Sequence, residues 1–446
     1  MTLNLLDFPF DILLELTKQL DLADSLHLAA TCSACAALLQ SHSFWIESLH
    51  RMENIHRRPI RCEPGTDLTT PPLGVLRQMA VHAYKLRKNW TSDSPLPVTT
   101  HSYYIPGESY VSHIFPIEGT HMVLTVFRGG LGCVNTTIGE YLAKCDREPT
   151  DLDHCSRPLY SAGMCSVAFA SYHSDRQELT LAVFSVDYRD LEAVTVSSTF
   201  SRSWLRPDRL RIECVIASEN TLGVVGSTNG EDPCLFYCRT AEPQELLRTA
   251  LGIQSDSPAA FESVSIGHDF VVFAQARGPS AEIVHAAPTH MDSTRHDLTP
   301  VPMNPSGRLS RIALNLRHLH TRAPTYGILN VMLRATEDGS AHRVLFWPAE
   351  YSAAHASMGS SGTSVVIRDT NYTDGVFLLQ YIHEPTPHVE SRRLPIPPRC
   401  TSYSQEIMFA LDDRSGVVYQ ARRDSDPEPL DFFGSDGLRF KAFQFV

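Results

Sequence analysis

The chain has 446 residues, a formal net charge of −12, 43% hydrophobic and 20% charged residues. That acidity excludes a molecule that clings as a whole to nucleic acid or to anionic membranes, and the length leaves room for roughly two or three domains. Eleven cysteines, an odd number spread along the chain, point to free thiols in a reducing compartment, cytoplasm or nucleus, rather than to a disulfide framework.

The N-terminal run from Leu5 to Cys32 is too apolar for an exposed chain start. It does not read as a signal peptide, because Asp7, Asp11 and Glu15 interrupt the apolar region and it lacks a basic segment. No window approaches the ~18 uncharged apolar residues of a membrane span. At helical spacing, Ile12, Leu13, Leu16 and Leu20 share one stripe, with Phe10 and Leu14 widening it, and Pro9 suits the first turn. A second helix is expected after a cap at Asp21, with Leu22, Leu26, Ala29 and Ala30 on one face and Leu28 and Cys32 off it. A third carries Phe44, Trp45, Leu49 and Met52. So small a unit cannot bury this much apolar surface internally. The excess must meet the rest of the chain or another protein.

Phe8-Pro9, Asp11-Ile12, Leu16, Leu20, Leu26, Ala30-Thr31-Cys32 and the downstream Trp45 resemble an F-box over roughly residues 4–50. The departures are Phe8 in place of the usual leucine and a longer interval before Trp45. The resemblance implies docking on a Skp-type adaptor, and through it on a cullin scaffold, with Phe8, Pro9, Ile12, Leu13, Leu16, Leu20, Leu26, Leu28 and Cys32 carrying or shaping the interface. The alternative is a helical hairpin packed on its own domain.

Residues 51–95 form a basic connector in which Arg51, Arg57, Arg58, Arg61, Arg77, Lys85, Arg87 and Lys88 face only Glu53, Glu63 and Asp67 between residues 51 and 90. Pro64-Gly65 and Pro71-Pro72 mark a turn-rich stretch. Beyond it a helix is expected with Leu76, Met79, Ala83, Leu86 and Trp90 on one stripe. The charges read either as a surface steering an acidic partner or as the solvated side of that helix.

From residue 96 to 446 the pattern is all-β: short β-branched and aromatic runs at 121–127, 179–187, 221–227, 269–276, 327–335, 375–382 and 406–413, separated by turn residues. Run-pairs recur about every 45–55 residues, the length of one four-stranded propeller blade. The expected fold is therefore multidomain, a small all-α module followed by a β-propeller of six or seven blades. A pair of β-sandwiches is the alternative.

The sequence has no Gly-x-Ser-x-Gly elbow, Walker loop, Gly-x-Gly-x-x-Gly or His-Glu-x-x-His motif, and no cofactor is expected. Cys32-Ser-Ala-Cys35 has the spacing of half a zinc site, but no second pair lies at ligand distance, so no metal is expected. Arg308, Arg311, Arg317 and Arg322, with two histidines and no acid between residues 304 and 324, could receive an acidic or phosphorylated segment. The reading that follows is a non-catalytic substrate receptor of a Skp–cullin–F-box type ubiquitin ligase, holding an unknown protein substrate. The alternatives are a propeller enzyme of hydrolase or lactonase type and a non-ligase scaffold.

Overall fold

Asp21 shows why the N-terminal leucines form two short helices and not one. Its carboxylate accepts the Asp24 backbone N–H at 2.8 Å and so starts a new helix, α2 (Leu22–Ala29), just after α1 (Phe10–Thr17) has ended. The carbonyls left over at the end of α1 are taken up from across the module: Arg51 donates from Nη1 to Thr17 O and from Nη2 to Leu20 O, both at 2.6 Å. Next come the short α3 (Ser33–Ala36), a 3₁₀ turn at Ala37–Gln40 and α4 (His42–Asn54). Phe44, Trp45, Leu49 and Met52 of α4 are all buried, and Trp45 Nε1 donates to Leu39 O at 2.9 Å.

The computed structural model describes residues 9–446 except 55–59, 63–66, 107–110, 118, 128–129, 147–153, 162, 206–208, 219, 229–231, 252–259, 267–268, 276–279, 288–289, 298–308, 319–324, 337–338, 360–363, 370–374, 383–387, 398–406 and 425–436. Between 260 and 356 the description is of backbone.

The β region is laid out as antiparallel meanders. Blade I runs Val111–Ile117, Met122–Phe127, Gly130–Asn135 and Glu140–Asp146, each strand paired to the next. Blade II opens on a broken strand (His154–Cys155, Leu159–Ser161) and continues Met164–His173, Glu178–Asp187 and Thr195–Leu205. Blades III and IV span Leu210–Ala250 and Ala260–Asp297, with four strands each. Blade V has three strands, and the third, Gly339–Met358, is long enough to pair with Thr325–Thr336 along its first part and with Ser364–Asp369 of blade VI along its last. Blade VI ends with Gly375–Ile382 and His388–Leu394.

Blade VII is made from both ends of the β region. Ile407–Asp412, Val417–Asp424 and Gly437–Gln444 are completed by Thr99–Pro106, which pairs with Gly437–Gln444 from Thr99↔Gln444 to Pro106↔Gly437. First and last strands sharing one sheet is how a propeller holds its ring together, and it separates this fold from two sandwiches. The blades meet through shared apolar layers: Leu124 and Leu131 of blade I lie with Val167 and Phe184 of blade II, Ala168 and Leu181 of blade II with Val224 and Phe236 of blade III, and Val123 and Val134 of blade I with Tyr419 and Phe440 of blade VII.

Helix α5 (Leu73–Trp90) belongs to two cores. Its first half, Leu76, Met79, Ala80 and Ala83, is buried with Leu13, Leu38, Trp45 and Leu49 of the N-terminal helices. Its second half, Leu86 and Trp90, is buried with Val366, Leu378, Leu394, Phe409 and Phe443 of blades VI and VII. Trp90 meets Phe445 edge-on, ring centroids 6.4 Å apart. Asn89 locks the helix end: Nδ2 donates to Leu96 O and Phe445 O at 2.8 and 2.7 Å, and Oδ1 accepts Leu96 N–H.

The blade VII turn Asp412–Gly416 receives the middle of α5. Asp412 Oδ1 accepts the N–H groups of Arg414 and Ser415, and Arg414 Nη1 reaches across to Ile60 O at 3.2 Å. Gly416 has φ +71°, and a Cβ there would stand 2.4 Å from Leu86 Cδ1. Only glycine supplies both that backbone and that close approach.

His82 of α5 lies against the same turn. Burial, and then the nearby Arg61 charge, hold its imidazole down to about 4, although hydrogen bonds to the Arg414 and Ser415 backbone act the other way. The unfolded chain takes up a proton at His82 near pH 6.5 that the folded chain refuses until about pH 4. Stability therefore falls as pH is lowered through that window and is untouched by His82 above it. Urea midpoints at pH 7.5 and 5.5 should differ less in His82→Gln than in the unmodified chain. In the same assay Trp90→Ala should cost about 3–5 kcal/mol, the usual range for deleting a fully buried aromatic.

Candidate functional site

Helix α1 is apolar around more of its circumference than one core can cover, and its side chains divide. Leu13 is 4% exposed and Thr17 is buried beside it, so this edge faces the module's own core. Phe10, Ile12 and Leu16 are 44%, 41% and 40% exposed. Pro9, which leads into the helix, is exposed as well. Leu14 is half-buried between the two sides. Ile12 and Leu16, four residues apart, leave one open apolar face, and Phe10 is exposed at the helix start on the other flank of the buried Leu13.

The sequence-expected interface residues separate accordingly. Pro9, Ile12 and Leu16 are on the open face. Leu20, Leu26, Leu28 and Cys32 are half-buried, and Leu13 belongs to the core. Phe8 lies outside the described residues. Phe10 keeps its flanking place on the wheel, and its exposure adds an open apolar position beside the buried Leu13, away from Ile12 and Leu16. Its signal in the sequence was its place at the start of α1, where a side chain has no preceding turn to pack on.

The face is held by groups that do not belong to it. Arg51, counted in sequence among a possible basic surface, is taken up by the α1 carbonyls. Cys32 ends the α2–α3 link, and its Sγ accepts the Cys35 N–H at 3.4 Å. Lys18 pairs with Glu15 at 2.6 Å on the exposed side of α1, a contact worth little on a surface.

Other candidates fall elsewhere. Arg61 of the connector donates to His121 Nε2 of blade I at 3.1 Å, whereas Arg77, Lys85 and Lys88 are exposed on α5 and Arg57 and Arg58 lie outside the described residues. Arg311 and Arg317 lie on the strand Leu309–His318, opposite Met332 and Tyr326, while Arg308 and Arg322 lie outside the described residues. Cys234 and Cys238 are buried. No group of three or more metal-ligating side chains occurs among the described residues, and no described helix is long and apolar enough to cross a membrane.

Residues 5–47 match the F-box domain family. The chain carries an F-box domain at its N-terminal end, and the region after α5 is propeller-like, a ring of antiparallel meanders closed by a shared sheet. Among solved structures it is similar to the WD40 domain of SCAP from fission yeast, at 9% identity over 75% of this chain and 84% of that one, with a TM-score of 0.39. It is also similar to a chain of a mitotic checkpoint complex, at 8% identity over 79% and 93%, with a TM-score of 0.40. At that distance the architecture is read from this chain's own strand order. A comparison with curated proteins gives no match.

The division of α1 has a direct consequence for stability. Leu13→Ala should destabilise the chain by about 2–5 kcal/mol, whereas Ile12→Ala and Leu16→Ala should stay within roughly 0.5 kcal/mol of the parent. Denaturant titrations followed by circular dichroism separate the two classes.

Proposed function

We propose that the chain is the substrate receptor of a Skp–cullin–F-box type ubiquitin ligase. The observation that carries this is the open apolar face of Ile12 and Leu16, with Phe10 exposed on the neighbouring flank, on a helix inside the F-box match. In this reading the adaptor covers that face, and the propeller holds a protein substrate on another part of the chain. No bond is made or broken by the receptor itself. Its contribution is effective concentration, since tethering a substrate beside a charged ubiquitin-conjugating enzyme turns a bimolecular encounter into an intramolecular one.

Helix α5 supports this division of labour. A flexible link would let a bound substrate wander, whereas a helix buried at both ends fixes the propeller relative to the adaptor-facing helices. The exposed residues Arg77, Lys85 and Lys88 on α5 leave the buried stripe undisturbed and serve as its solvated side.

The test is binding of the full-length chain to a purified Skp-type adaptor. Burial of one leucine or isoleucine is worth ~1.5–3 kcal/mol, so Ile12→Asp with Leu16→Asp should weaken binding by at least ~100-fold. The circular dichroism spectrum should be unchanged, because both positions are exposed. Undiminished binding by the folded double variant would refute the assignment of this face.

A further inference from the structure

The pair Cys32 and Cys35 lies off the exposed α1 residues that carry the proposed function. Cys32 is the residue before α3 and Cys35 lies in that helix's first turn, so the chain brings the two side chains together. The Cys35 N–H points at Cys32 Sγ, 3.4 Å away. Residues three apart at a helix start hold their side chains ~5–6 Å apart at Cβ, close enough for a small adjustment to bring them to bridging distance. Neither is part of a disulfide.

The two differ in access. Cys32 is half-buried and open to a small oxidant, while Cys35 is 0% exposed. That is the arrangement of an attacking thiol backed by a resolving one. Burial pushes the Cys35 thiol up, which leaves the attack to Cys32, and three other described thiols are poorly placed for it. Burial pushes Cys133 and Cys155 up to about 12 and Cys238 up to about 11, which withholds the thiolate that reacts. Cys234 and Cys238 stand four residues apart along one strand, roughly 13 Å at strand rise, too far to bridge.

We propose that Cys32 and Cys35 form a redox-reactive dithiol within the F-box, which peroxide converts into a local disulfide. The Cys32 thiolate attacks hydrogen peroxide, its sulfur takes one oxygen, the O–O bond breaks and hydroxide leaves, giving a sulfenic acid. The Cys35 sulfur then attacks the sulfenic sulfur, the S–S bond forms, the S–O bond breaks, and the Cys35 proton leaves with the hydroxyl as water. The protons released and consumed balance: two thiols lose two electrons and two protons, and one peroxide becomes two waters. A thiol reductant reverses the change by exchange. The inference concerns the chain's own thiols and holds whatever covers α1.

The experiment uses the full-length reduced chain, graded hydrogen peroxide, alkylation of the remaining thiols, tryptic digestion and mass spectrometry. Cleavage after Lys18 and Arg51 yields one peptide, 19–51, whose only cysteines are Cys32 and Cys35. That peptide should become two hydrogens lighter and unalkylated at a peroxide dose at least roughly tenfold below the dose that oxidises Cys133, Cys155 and Cys238, and dithiothreitol should restore both alkylation sites. In Cys35→Ser, Cys32 should instead be trapped by dimedone as a sulfenic acid. If that variant does not fold, titration of the parent chain against glutathione and its disulfide decides, with both sites expected to disappear in one two-electron step. A 19–51 peptide that stays fully alkylated while the buried thiols oxidise would overturn the proposal. So would one that passes to sulfinic acid or to separate glutathione adducts without an internal disulfide.

Discussion

The arrangement of this molecule depends on one helix being buried at both ends. Leu76, Met79, Ala80 and Ala83 complete the N-terminal core, and Leu86 and Trp90 complete the junction of blades VI and VII. Neither core closes without α5. The small helical module would expose Trp45 and Leu49, and the propeller would expose Val418 and Phe445, so the helix is an internal part of both and not a linker laid between them. The supporting contacts converge on a single turn: Asp412 shapes it, Arg414 reaches from it to Ile60, and Gly416 lets Leu86 come close. At ~1.5–3 kcal/mol for each large buried side chain, the shared stripe outweighs any one of the polar clamps, which orient the helix more than they hold it.

The same accounting explains the leucine-rich N-terminus. A module of four short helices has too little interior for all its apolar side chains. α5 takes one side of it. Leu13 and Leu22 fill that interior, and Phe10, Ile12 and Leu16 are what remains. Open apolar surface of this kind is costly in a free chain, so its retention next to a filled core argues for a covering partner.

Much of this was legible in the sequence because both helical stripes and buried strands leave simple patterns. The α5 stripe at Leu76, Met79, Ala83, Leu86 and Trp90 is buried throughout. Most of the apolar runs read as strands are interior strands of their blades, Met122–Phe127, Glu178–Asp187, Thr221–Thr228 and Gly375–Ile382 among them. Such strands are covered on both faces and so become continuous apolar runs. Outer strands leave no such mark: Thr195–Leu205 is serine-rich and mostly exposed, and Glu242–Ala250 is charged and exposed in part. The closure of Thr99–Pro106 onto Gly437–Gln444 joins residues more than three hundred positions apart, which no local pattern encodes. On α1 the wheel gave the apolar arc but not its division, because which edge turns inward is set by the 3₁₀ turn Ala37–Gln40 and the core around Leu38. The short α3 was missed for a different reason: four residues are too few for a helical period to show.

The most direct measurement is the distance between the N-terminal helices and the propeller in solution. Spin-labelled amino acids placed by codon reassignment at Gln19 and Leu191, both exposed, avoid the native thiols, and pulsed electron double resonance reads their separation. Helix α5 buried in both cores predicts one narrow distance distribution. A broad or multiple distribution would show the N-terminal helices swinging free of the propeller, and the account of α5 as a shared core element would be wrong.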